Sequence, residues 1–185
     1  MSTFFELAAK RESCRNYDPA RPVEDEKLRQ MIETTHLAPS ACNSQPWHFT
    51  VVNSPDLAAA VAKCLQGMNM NSFASNCPAF IIINEEKATL SAAVGGKIKQ
   101  QHYAGYDIGL AAAHICFAAI ELGLSTCIIG WFDDGGLKKL TGIPAKRKVS
   151  LVIAVGYAAT ENLRRKIRKP IEEIATFLPT TTDTY

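Results

Sequence analysis

The chain has 185 residues, of which 47% are hydrophobic and 21% charged, and its formal net charge is +2. This length and composition fit one globular domain with a substantial core and exclude a disordered chain. So small a net charge excludes a surface that attracts nucleic acid or an anionic membrane as a whole, and any basic site must be local.

Hydrophobic periodicity and breaker residues predict helices that alternate with strands. Five helices are predicted. The first ends near residue 10, the second runs from residue 24 towards Pro39, and the others cover 56–65, 104–122 and 134–140. The predicted strands are 47–52, 79–83, 126–132 and 149–155, and residues 66–76 form an irregular excursion. Helix 104–122 is apolar nearly all round and is therefore expected to be central and buried. Strands separated by helices indicate a single α/β or α+β domain.

The first basic segment follows the first helix and contains Arg11, Ser13 and Arg15. In an extended stretch, side chains at i, i+2 and i+4 point the same way. Two guanidinium groups and a hydroxyl that converge on one point suit a phosphate monoester dianion. The alternative is a solvated basic turn, and these residues alone do not decide between the two.

Two later segments could contact a ligand, one through polar side chains and the other through the backbone at a glycine. The loop 39–47 (PSACNSQPW) is dense in amides and hydroxyls, which suit the edge of a heteroaromatic ring such as a flavin pyrimidine, although such residues are also ordinary in loops. Gly130 follows a predicted strand, where ligands of open α/β sheets gather, and it would let the backbone approach a planar ring. It could equally be a plain turn glycine.

The second basic segment, 164–169 (RRKIRK), has five positive charges in six residues. It could be a solvated charge run or a nucleic-acid patch, although no aromatic residue is interleaved for base stacking. A third possibility is that Lys166 and Arg168 reach the same phosphate as Arg11 and Arg15. Sequence spacing does not establish that they meet.

Several kinds of site are not expected. The six cysteines form no C-x-x-C pair, so neither zinc nor a disulfide framework is predicted. No nucleophile motif, P-loop or dinucleotide fingerprint occurs, which favours a cofactor as the carrier of the chemistry. The N-terminus lacks a signal-peptide pattern, and the apolar run 108–120 is too short to span a bilayer. We therefore expect a cytoplasmic protein that binds neither nucleic acid nor membrane.

Four motifs, in this order, resemble those of the FMN-dependent nitroreductase family and its short, single-domain members. They are Arg11-x-Ser13-x-Arg15, the 39–49 segment PSAxNSQPWxF, the 122–130 segment LGLxTCIIG, and the 168–174 segment RKPIEEI. The resemblance covers residues 3 to 178 and implies that 1–185 is one FMN-binding domain of α+β class. Its fold would be a central mixed, mainly antiparallel sheet wrapped by helices, in a homodimer with flavin sites at the interface.

The resemblance also implies the roles of individual residues. The phosphate would be held by Arg11, Ser13, Arg15, Lys166 and Arg168. Pro39, Ser40, Ala41 and Asn43 would come from the partner subunit and line the flavin ring, and the C-terminal tail would pack on that partner. The backbone at Ile129, Gly130 and Trp131 would support flavin N5, and Asp107 falls where the family often has a polar residue near the ring.

The implied reaction is ping-pong hydride transfer, in which NADH or NADPH reduces the flavin at N5 and an electron-poor nitroaromatic, quinone or similar acceptor reoxidises it. No side chain needs to act as a dedicated acid or base. Two alternatives stay open: a flavin-storage protein without turnover, and a specialised flavin enzyme of the dehalogenase or flavin-degrading type. The sequence lacks the longer polar lid that such relatives usually carry.

The match is weak between residues 52 and 104. The excursion there offers Met68, Asn69, Met70, Asn71 and Phe73 as candidates for lining a substrate site. Ala41-Cys42 stands where the family often has a second serine. Cys42 has no visible base or resolving partner, and no redox role is assigned to it.

Overall fold

The computed structural model describes residues 3–160 and 162–178. The helices are α1 (Phe4–Lys10), α2 (Asp25–His36), α3 (Pro55–Leu65), α4 (Leu90–Lys99), α5 (Tyr103–Glu121), α6 (Asp134–Thr141) and α7 (Ile171–Ile174). The strands are β1 (Trp47–Val52), β2 (Ala79–Glu85), β3 (Ser125–Ile129) and β4 (Lys148–Gly156). This succession of elements is the one that the periodicity predicted, apart from α4.

The four strands form one sheet in the order β1-β2-β4-β3, with every neighbouring pair antiparallel. Ser13 adds an isolated parallel bridge to Thr126 on β3. The predicted mixed, mainly antiparallel sheet of an α+β domain is therefore confirmed. The reason first given for a ligand beside Gly130 was wrong, because strand ends gather on one side only in parallel sheets.

Helices cover both faces of the sheet. The side chains of Phe80 and Ile82 pack into a core with α3 and α6, whereas Ile81 and Ile83 pack into a second core with α2 and α5. Successive strand residues point to opposite faces, so β2 feeds both cores. This explains why residues 79–83 are a continuous apolar run.

One local prediction was wrong, and one helix was not predicted. Strand β3 ends at Ile129 rather than at 132, because the Trp131 carbonyl accepts a hydrogen bond from the Asn71 amide instead of pairing with β4. Within 66–103 the chain forms short 3₁₀ turns and then α4, a helix with only a weak amphipathic pattern in the sequence. Because that pattern is weak, periodicity did not predict the helix.

Helix α5 is buried along one side only. Ile108, Ala111 and Ile115 lie in the core, whereas Tyr106 and Leu110 are exposed in the single chain. By length and composition it is the one helix of the described residues that could cross a membrane, and half of its apolar window is buried inside the fold, as in a core helix. The predicted burial of this helix is therefore confirmed on the side that faces the core, and it does not extend to Tyr106 and Leu110 in the single chain.

Candidate functional site

The segment after α1 and the chain that leaves β4 run antiparallel to each other. Tyr17 and Ala158 form an antiparallel bridge. Nearer the two basic segments, the Lys166 ammonium group donates to the backbone carbonyl of Ala9. This pairing places residues 164–168 beside residues 11–15, a juxtaposition that sequence spacing could not establish.

The two basic segments enclose a cavity of about 330 Å³. It is lined by Arg11, Glu12, Ser13, Arg15, Arg164, Arg165, Lys166, Ile167 and Arg168. All five residues predicted to bind a phosphate therefore share one cavity. Six cationic side chains and one carboxylate give the cavity a net charge of +5, and guanidinium groups around an open concavity suit a phosphate monoester.

Sequence reasoning assigned no role to Glu12 or Arg164, yet both shape this cavity. The Arg164 backbone N–H donates to Glu12 Oε2 at 3.0 Å, and its guanidinium group donates to the Ser13 carbonyl. The guanidinium Nε also lies 3.8 Å from the same Glu12 oxygen. These contacts tie the second basic segment to the first. The available signal was the position of Glu12 inside an otherwise basic motif.

The cavity is anchored at one edge of the sheet. Ser13 pairs with Thr126, and the Cys14 N–H donates to the Thr126 carbonyl at 2.9 Å. Gly130 lies four residues further along β3 and its turn, about 14 Å away at strand spacing. A Cβ added to Gly130 would meet no atom within 4 Å, so the space above its backbone is open to a planar group.

The excursion before β2 packs on the turn at Gly130. The Trp131 indole N–H donates to the Gly67 carbonyl at 3.2 Å, and the Asn71 amide donates to the Trp131 carbonyl at 3.3 Å. Met68 and Met70 are exposed beside this junction. Of the residues proposed to line a substrate site, Asn71 is instead a structural tie, and Phe73 packs against the core and the Tyr17 ring.

The loop 39–45 is held by contacts of its own. Its Ala41 N–H donates to Asp107 Oδ1 at 3.0 Å, and the Ser44 hydroxyl accepts from the Thr89 N–H at 2.8 Å. Cys42 and Asn43 have positive φ angles of 52° and 48°, conformations that are unfavourable for most residues and need such support. Asp107 is buried, and its hydrogen bond to Ala41 stabilises the loop.

Within one chain this loop lies far from the cationic cavity. Asp107, which holds the loop, is near the start of α5, and the strand that anchors Ser13 follows the end of α5. The Thr126 side chain also hydrogen-bonds the Cys116 thiol, and the nine helical steps from Asp107 to Cys116 span about 14 Å. The loop also leads into β1 at the opposite edge of the sheet from β3. The structure therefore brings together the cationic residues but keeps residues 39–43 away from them.

An apolar groove of about 820 Å³ crosses the exposed side of α5. It is bordered by α1, α2 and α5, with Phe4, Leu7, Leu110, Phe117 and Leu122 among its lining residues. The exposed part of α5 therefore belongs to a continuous apolar surface, which is typical of an association site.

The thiols fit packing roles. Burial raises the pKa of the Cys77 thiol to about 12 and also raises the pKa of Cys14, Cys116 and Cys127. Thiols held in the protonated form are poor nucleophiles. Cys42 is exposed and free. Among residues 3–160 and 162–178, no group of three or more His, Cys, Asp or Glu side chains could hold a metal ion.

Comparison with solved structures places the fold in a known class. A nitroreductase family protein from Streptococcus pneumoniae TIGR4 superposes with a TM-score of 0.80 and is 27% identical, covering 95% of this chain and 100% of its own. Two curated relatives have different activities in their names. Oxygen-insensitive NADPH nitroreductase of Helicobacter acinonychis is 25% identical over 94% of this chain and 95% of its own length. Human iodotyrosine deiodinase 1 is 26% identical over 92% of this chain and 67% of its own length.

The family model of the nitroreductase family matches residues 8–157. The chain therefore belongs to the nitroreductase family, and the resemblance carried by the four motifs is confirmed.

Proposed function

We propose that this chain is an FMN-dependent NAD(P)H:acceptor oxidoreductase of the nitroreductase type that works as a homodimer with two shared flavin sites. The observation that carries the proposal is the convergence of Arg11, Ser13, Arg15, Lys166 and Arg168 on one cavity. Membership of the nitroreductase family and the name of the Helicobacter relative support the activity.

The cationic cavity holds the phosphate of FMN in this proposal. A phosphate monoester carries about two negative charges and three acceptor oxygens, which Arg11, Arg15 and Arg168 meet with charge-assisted hydrogen bonds. Bound there, FMN supplies a reversible two-electron carrier that the side chains themselves lack. The roughly 14 Å of strand between Ser13 and Gly130 would leave room for the ribityl chain, and the open backbone at Ile129, Gly130 and Trp131 would support the N5 edge.

The partner subunit completes the site for the flavin ring. About 14 Å of α5 and the width of the sheet separate Pro39, Ser40, Ala41 and Asn43 from the cavity of their own chain, so we assign these residues to the flavin held by the partner's cavity. Antiparallel packing of two α5 helices about a twofold axis would bring the Asp107 end of one beside the Glu121 end of the other. The loop of each copy then meets the cavity of its partner, in an isologous interface.

Two further apolar surfaces favour this dimer. The groove on α5 leaves Leu110 exposed, and its burial by a second copy would remove a large apolar area from water. Beyond the cations, Ile171, Ile174, Phe177 and Leu178 are all exposed in the single chain. We propose that this C-terminal arm packs on the partner.

The reaction is ping-pong, with NAD(P)H and then an electron-poor acceptor using the same face of the ring. Met68, Met70 and Trp131 offer an apolar, polarisable surface beside the Gly130 turn for a planar acceptor. No side chain acts as acid or base. Asp107 is a positioning residue, because it fixes Ala41 in the loop that covers the partner's flavin.

Anaerobic reduction of the purified holoprotein tests the proposal. We expect a yellow protein whose flavin band is bleached by NADH or NADPH and restored by a nitroaromatic or a quinone. Flavin that binds without being bleached by either nucleotide would instead indicate a storage protein. Because a deiodinase is among the relatives, iodotyrosine serves as the comparison acceptor, and reoxidation by iodotyrosine alone would replace the nitroreductase proposal by dehalogenation.

A further inference from the structure

A second polar cavity, of about 420 Å³, lies between α4 and the start of α5. Its volume is in the range of small-molecule sites. None of its described lining residues belongs to the cationic cavity. Ser44 lines it, so the cavity borders the loop 39–45. In the proposed function this cavity has no ligand.

The wall of this cavity contains a buried carboxylate that is only half satisfied. Asp107 lines the cavity and is 5% exposed. Its Oδ1 accepts a hydrogen bond from the Ala41 N–H at 3.0 Å, whereas Oδ2 is shielded from solvent and has no partner within the described part of the chain. Because a buried carboxylate oxygen without a donor is unfavourable, a donor that enters the cavity gains a strong partner.

The charge of the cavity indicates the kind of donor. A second carboxylate, Glu85, gives the described lining residues a formal charge of −2 with histidine neutral, which favours a cation. Glu85 Oε1 lies 2.9 Å from His102 Nε2, and the five helical steps from His102 to Asp107 rise about 7.5 Å. The two carboxylates are therefore held by different parts of the cavity wall.

A cation with two separated donor groups fits this arrangement better than a metal ion does. The described residues contain no group of three or more His, Cys, Asp or Glu side chains that could hold a metal, so Asp107, Glu85 and His102 do not converge on one point. Ala92 and Ala93 make part of the wall small and apolar, which suits methylene groups. An ammonium group has three hydrogen-bond donors and no acceptor, as the carboxylates require.

We propose that this cavity binds a short aliphatic diamine, with one ammonium group paired to Asp107 Oδ2 and the other to Glu85. The site lies outside the cationic cavity and does not depend on the proposed reaction. Ser44 lines the cavity and Asp107 holds Ala41, so a bound diamine contacts the loop 39–45 and stabilises it.

Calorimetric titration of the purified protein with pentane-1,5-diamine tests the site. We expect saturable binding of one diamine per chain, weaker at an ionic strength of about 0.15 M than at about 0.01 M. Pentan-1-amine, which lacks the second ammonium group, should bind about fivefold more weakly. Absence of saturable binding by the diamine, or equal affinity for the diamine and the monoamine, would overturn the proposal.

Two variants of different kinds locate the binding. Asp107→Asn keeps an oxygen for the Ala41 N–H but removes the charge, and it should weaken diamine binding about tenfold to a hundredfold. Ala93→Leu leaves the charge unchanged and fills the cavity, and it should abolish binding. Ala93 is exposed on α4, where leucine is a good helix former, so this variant keeps the fold.

Asp56→Asn is the matched control, because Asp56 is an exposed carboxylate on α3 outside the cavity. Its affinity for the diamine should equal that of the wild type. Unchanged affinity in both Asp107→Asn and Ala93→Leu would contradict the site. The oxidoreductase proposal is judged separately, because bleaching of the flavin by NAD(P)H does not require the diamine.

Discussion

At the scale of single residues, the site depends on a few polar contacts made by side chains of very different exposure. Arg11 is half-buried and Arg15 is exposed, and both line the cationic cavity, while Asp107 is buried and accepts a hydrogen bond from the Ala41 N–H. The other oxygen of Asp107 is buried and has no hydrogen-bond partner among the residues that the structure describes. In the proposed function, Arg11 and Arg15 bind the phosphate, and Asp107 positions the loop 39–45.

Loss of one cationic side chain from the cavity should weaken FMN binding measurably. Arg11→Ala or Arg15→Ala removes a charge-assisted hydrogen bond worth about 1.5–3 kcal/mol, so the Kd for FMN should rise about tenfold to a hundredfold. Fluorescence titration of the flavin-free protein measures this Kd. Lys139→Ala, which removes an equal charge from α6, should leave it unchanged. An unaltered Kd in both arginine variants would contradict the phosphate assignment.

At the scale of secondary-structure elements, α5 links the two halves of the proposed site. Its Asp107 end holds the loop 39–45, and its other end leads into β3, to which Ser13 is paired. The exposed side between these ends is apolar. A partner helix packed there in the antiparallel direction would therefore set both the dimer and the geometry of the flavin sites.

A charge placed on that side of α5 should separate the subunits. Leu110 is 43% exposed and lines the groove, so Leu110→Asp leaves the single-chain core intact but puts an unpaired carboxylate into the interface. We expect a folded monomer that no longer retains FMN, detected by analytical ultracentrifugation and circular dichroism. Leu140 on α6 is 39% exposed, and Leu140→Asp is the matched control, expected to remain a dimer. A dimeric, yellow Leu110→Asp variant would argue against this interface.

At the scale of the whole molecule, each proposed flavin site combines a cationic cavity from one copy with a loop from the other. A substitution in the cavity and a substitution in the loop therefore damage parts of the site that come from different copies of the chain. In a mixed dimer, one site receives both defects and the other receives none. This arrangement distinguishes a shared site from a site that is complete within one chain.

Subunit mixing should restore FMN binding to two inactive variants. Arg11→Ala/Arg15→Ala removes the phosphate contacts, and Ala41→Glu puts a carboxylate against the partner's ring. Refolding them together in equal amounts should give about a quarter of the wild-type sites, because half of randomly formed dimers are mixed and each has one intact site. Bound flavin absorbance measures the recovery. No recovery in a sample shown to contain mixed dimers would contradict the shared site.

The sequence by itself determined the core and the inventory of polar groups. The apolar run 79–83 specified a strand buried on both faces, because only such a strand needs every side chain to be apolar. The order of Arg11-x-Ser13-x-Arg15, the 39–49 segment and the Gly130 turn identified the family. Helix α4 escaped prediction because its apolar residues follow no clear helical stripe.

Only the tertiary structure decided which of these groups meet. Residues 158–160 and 162–166 run antiparallel to residues 9–17, which brings Arg164 and Lys166 to the first basic segment, although about 150 residues separate them in the chain. The same fold keeps loop 39–45 at the far end of α5. Local periodicity reports burial and element type, whereas proximity between distant segments depends on how the sheet and helices pack, and that packing has no signature in residue spacing.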